Sequence, residues 1–142
     1  MSKPFKDDKE VSELVRAFEA CTIHPAEFKH YQHLATALWY VANFSYDEAT
    51  MKVRTGIQKL AAAYGKIGYH ETITLFWLAI VREFFARSNS HSIAELANKL
   101  AAECADKNLI RDYYSEDLLT SDRAKNGWVA PDLKPLAAFA EV

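Results

Sequence analysis

Two short stretches hold most of the side chains in this chain that could do chemistry: Glu27-Phe-Lys-His30-Tyr-Gln-His33 and Tyr69-His70-Glu71-Thr72. They carry three of the five histidines and two carboxylates. Neutral imidazole and carboxylate oxygen are ligands for zinc, iron, nickel or manganese. His30 and His33 lie three residues apart, which on a helix lets both reach one divalent ion. His70 would be the third ligand, leaving an open position for water. Glu71 or Glu27 would then be a fourth ligand or the base acting on bound water, for hydrolytic or oxygen-handling chemistry. Glu27 and His30 have the spacing found in half of a carboxylate-bridged di-metal bundle, but that site needs a second Glu-x-x-His and further glutamates. The chain has no second copy, so one metal ion is expected rather than two.

The same residues support a metal-free reading. His70 would be a general acid or base near neutral pH, with Glu27 orienting it and His30 binding or protonating a small-molecule substrate. Tyr31, Tyr69 and Trp77 would wall the pocket. A third reading is structural: Glu27 favours the dipole at a helix start, and His70 hydrogen-bonds Tyr64, Thr74 or a backbone carbonyl. Thr72 and Thr74 read as core hydroxyls bonding back to their own helix. No activated serine or cysteine stands out. Cys21 and Cys104 form no CxxC pair and read as free thiols. His24 reads as a cap before the second helix, and His91 as a solvated loop residue.

The elements that must position these side chains are helices. Half of the 142 residues are hydrophobic, 13% are aromatic, and only four Gly and four Pro interrupt them. Val11, Leu14, Val15 and Phe18 recur at helical spacing, predicting a helix from about Asp8 to Ala20. Pro25 suits the first turn of a helix running to about Asn43. Ser45-Tyr-Asp-Glu48 and Ser92-Ile-Ala-Glu95 are capping boxes opening the third and fifth helices. The fourth, about His70 to Arg87, is apolar nearly all round and is expected at the centre. A shorter helix is expected over Lys107 to Tyr114. Brief turns capped by Ser115 and Ser121 follow, then the proline-restricted stretch around Trp128, Val129, Leu133 and Leu136, expected to pack across the bundle.

These elements predict one all-α domain over residues 1–142: an up-down four-helix bundle core with an added helix, a flexible start over about 1–7 and a packed, mostly irregular tail over about 115–142. In the second helix Lys29, Gln32, Thr36 and Asn43 share the expected solvent face, while Glu27, His30 and His33 fall on or beside the buried one. Up-down connection makes the second and fourth helices parallel, so their histidine-bearing starts meet at one end. The formal net charge of −2 and scattered basic residues argue against nucleic acid as a partner. No uncharged apolar run is long enough to span a membrane, and no apolar signal core opens the chain, so a cytoplasmic protein is expected. The apolar fourth and amphipathic fifth helices would support a homodimer, the basis of a non-catalytic interaction reading.

Phe28-Lys-His30-Tyr-Gln-His33-Leu34, Tyr69-His70-Glu71-Thr72-Ile-Thr74, Tyr113-Tyr114-Ser115 and Trp128-Val-Ala-Pro131-Asp132-Leu133-Lys-Pro135-Leu136 occur in that order. The set resembles a family of small, uncharacterised bacterial all-helical proteins of about this length. The resemblance implies a helical domain in a bacterial cytoplasm and marks His30, His33, His70 and Glu71. It implies no activity.

Overall fold

The computed structural model describes residues 4–136. Five main helices carry the fold: α1 (Asp8–Glu19), α2 (His30–Asn43), α3 (Tyr46–Ala63), α4 (Glu71–Ala86) and α5 (Ile93–Glu103). A 3-10 segment over Lys107–Asp112 and two short helices, α6 (Glu116–Leu119) and α7 (Asp122–Asn126), follow. Among the described residues there is no strand, and no helix is long and apolar enough to cross a membrane. Most starts are fixed by a polar side chain that satisfies an otherwise orphaned amide. Asp7, Ser45, Ser92, Ser115 and Ser121 cap α1, α3, α5, α6 and α7 in this way.

The second helix departs from its expected form. Pro25–Glu27 is a separate 3-10 turn capped by His24, and α2 begins only at His30. Phe28, at φ −85° and ψ 84°, breaks the helical path. The break lets its ring enter the core, 5.4 Å from Phe18 and stacked 3.9 Å from His33. The fourth helix packs against α2, α3, α5 and α7, and α2 against all four other main helices. The expected solvent face of α2 is therefore partly covered, and Thr36 is buried.

The apolar wrap of α4 has a different cause. One side of it joins the main core through Leu78, Val81 and Phe84. Phe76 and Ala79 join a second core with Ile110, Tyr114, Leu119, Ala124, Val129 and Leu136. The tail thus packs across the bundle as expected, and it covers apolar surface of α4 from which a homodimer was to be built. Thr72 does not bond back to its own helix. Its Oγ1 donates to the Gly127 carbonyl at 2.7 Å and accepts from the Val129 amide at 3.2 Å. Tyr114 anchors the same segment by donating to the Val129 carbonyl at 2.6 Å.

The start of the chain is also more fixed than composition suggests. Phe5 is buried, and its backbone is clasped by the Asn98 side chain through bonds of 3.0 and 2.9 Å. The remainder of the expected flexible start, residues 1–3, and the end of the expected tail, 137–142, lie outside the described residues.

Candidate functional site

Positive-φ glycines at Gly65 (66°) and Gly68 (105°) turn the chain between α3 and α4. They deliver Tyr69 and His70 to the start of α4. His70 is the cap of that helix. Its Nδ1 accepts from the Ile73 amide at 3.1 Å, and its Nε2 lies 2.7 Å from the Leu119 carbonyl. An amide donor on one nitrogen and a carbonyl acceptor on the other assign a neutral ring protonated on Nε2. His70 therefore ties the start of α4 to α6. Thr74 does bond back, donating to the His70 carbonyl at 3.0 Å.

His30 opens α2. Its Nε2 lies 2.8 Å from the carbonyl of Cys104 at the end of α5, and its ring meets Trp77 edge-on at 4.8 Å. His33 lies one turn on, stacked on Phe28. The residue is exposed, and its ring forms part of a cavity wall. Desolvation by the surrounding wall and the neighbouring His30 push its pKa down from 6.5 to about 4, against a smaller opposing effect of the Phe28 backbone. His33 is thus neutral at pH 7.

The two glutamates do not join the histidines. Glu27 is exposed on the 3-10 turn, because the break at Phe28 removes it from the helical phase that would have turned it inward. It neither orients His70 nor lies on the cavity wall. Glu71 is held by Arg54, with Nε to Oε1 at 2.9 Å and Nη2 to Oε2 at 2.5 Å. Tyr69 donates to the same carboxylate at 2.6 Å. Burial would raise the Glu71 pKa, but these bonds and the Arg54 charge outweigh it and hold it low. Three of the roughly four acceptor sites of its carboxylate are thus occupied.

The starts of α2 and α4 do meet, and a cavity of about 480 Å³ lies between them. His30, His33 and His70 all line it, together with Tyr69 and Trp77. Tyr31, expected as a third wall, packs near Phe5 instead, 5.8 Å between ring centroids. The rest of the wall is largely apolar. The polar residues missing from the sequence reading are Lys107, Asn108 and Arg111, which reach the cavity from the 3-10 segment after α5. Nothing in their own spacing marks them; they belong to the site only because that segment crosses the bundle end.

Among the described residues no group of three or more His, Cys, Asp or Glu is arranged to hold a metal ion. Hydrogen bonds give the local reason: both ring nitrogens of His70 and one of His30 are committed to backbone groups. Cys21 and Cys104 are free thiols. No family model matches the chain, and no curated protein or solved structure matches it either.

Proposed function

We propose that this protein binds a small organic molecule, without a metal, in the cavity between the starts of α2 and α4. The observation that carries this reading is the cavity itself: its size falls within the range of ligand sites, and a mostly apolar wall surrounds a few convergent polar groups. The three histidines serve it in different ways. His70 and His30 fix the walls through backbone carbonyls, and neutral His33 offers the ligand a ring face and a hydrogen-bonding edge. The metal reading would require His70 to release the Ile73 amide and the Leu119 carbonyl. Elemental analysis of protein purified without chelator is accordingly expected to find no stoichiometric transition metal.

The direct test is titration with the neutral apolar dye N-phenyl-1-naphthylamine. Ala37 lines the cavity and is buried, so Ala37→Phe would fill part of it. The wild-type chain should bind one dye molecule, and Ala37→Phe should lose binding while its circular dichroism stays helical. Absence of binding, or equal binding by a folded Ala37→Phe, overturns the proposal.

A further inference from the structure

The charges around the cavity are one-sided. Lys107 and Arg111 line it, and neither Asp nor Glu does. Glu71, next in sequence to the lining residue His70, is neutralised by Arg54. Arg111 is paired with Glu116, whereas Lys107 has no ion pair among the described residues. Lys107 is exposed and lies at the solvent side, while Leu34, Leu78 and Ile110 are buried and line the interior. A wall with one free ammonium and an apolar interior suits a ligand with one negative end and an apolar body. A cationic ligand would meet Lys107 and no carboxylate. A phosphate dianion would leave much of its charge unpaired, since strong phosphate sites gather several donors.

We propose that the cavity takes an organic monocarboxylate, its apolar tail among Leu34, Leu78 and Ile110 and its carboxylate at the mouth against Lys107. This inference rests on the small-molecule reading above and adds the charge of the ligand. Trp77 lines the cavity, so its fluorescence can report occupancy alongside calorimetry.

Octanoate, octanol and octylammonium share a tail and differ in the charge of the head, so they test the proposal at pH 7 and low salt. Octanoate should bind about tenfold more tightly than octanol, with octylammonium weakest, as a charge-assisted contact demands. Lys107→Ala, a change at an exposed position, should abolish the advantage of octanoate and leave octanol unchanged. Equal affinity for octanoate and octanol overturns the proposal, as does an unchanged octanoate preference in Lys107→Ala. Dye binding without any preference for octanoate defeats this inference alone, whereas failure of the neutral dye defeats the cavity reading beneath it.

Discussion

His33 is exposed on the cavity wall, where desolvation by the surrounding wall and the neighbouring His30 both disfavour its charged form. The unfolded ring takes up a proton near pH 6.5, but the folded one resists until about pH 4. Between those values the unfolded state binds more protons, so stability falls as pH falls; the contribution is complete above pH 6.5. His33→Gln should flatten the slope of unfolding free energy between pH 6.5 and 5, measured by urea denaturation. An unchanged slope would show that other groups control it. His70 makes a different prediction, because it caps α4 and also reaches Leu119. His70→Ala should lose about 0.5–2 kcal/mol, the range for a lost cap, and His70→Asn, which can cap, should recover part of it in the same assay. The convergence of His30, His33 and His70 on one end was readable from their positions at two helix starts. The fates of Glu27 and Glu71 were not: one depends on a backbone break at Phe28, the other on Arg54 reaching across from α3.

Helix boundaries were the most legible level, because a boundary is set by a few neighbouring residues: Ser45 and Ser92 cap α3 and α5 where their boxes place them. The packing partner of each face was less legible. The apolar wrap of α4 marked it as buried, but periodicity alone does not distinguish a central helix from one covered by its own tail. Thr72 makes that covering specific. In Thr72→Val the Gly127 carbonyl and the buried Val129 amide lose their partner. The expected destabilisation is about 2–4 kcal/mol, two unsatisfied groups at roughly 1–3 each, with faster hydrogen exchange at Val129. Protected exchange at Val129 would show that the tail is held by its apolar contacts alone. Gly56 sets a second interhelical contact. A Cβ there would lie 2.3 Å from the Phe18 ring, which is buried in the main core. Alanine would improve helix propensity by up to ~1 kcal/mol, yet overpacking of about 1–3 kcal/mol opposes it. Gly56→Ala should therefore lower the urea midpoint; a rise would mean that Phe18 has room to move.

The cavity belongs to neither core alone. Leu34 and Leu78 reach it from the main core, and Ile110 and Leu119 from the second. Trp77 and Ile80 pack against both cores. The second core cannot stand by itself: α6 and α7 have four and five residues, far below the roughly 12–15 at which isolated helices become even marginal. It depends on Phe76 and Ala79 of α4, and on the ties made by Thr72, Tyr114 and His70 to the tail and α6. Coupling through one helix predicts one cooperative transition. Three tryptophans make this measurable: Trp39 packs on the main core, Trp77 on both and Trp128 on the second. Urea curves from far-ultraviolet dichroism and from single-tryptophan variants reporting each region should share a midpoint. Phe76→Ala supplies the harder test. It removes a fully buried ring from the second core, with an expected loss of about 3–5 kcal/mol. If α4 couples the cores, all three reporters should shift together. A Trp128 transition that moves alone, ahead of Trp39, would instead make the tail a separately unfolding lid whose opening removes one wall of the cavity.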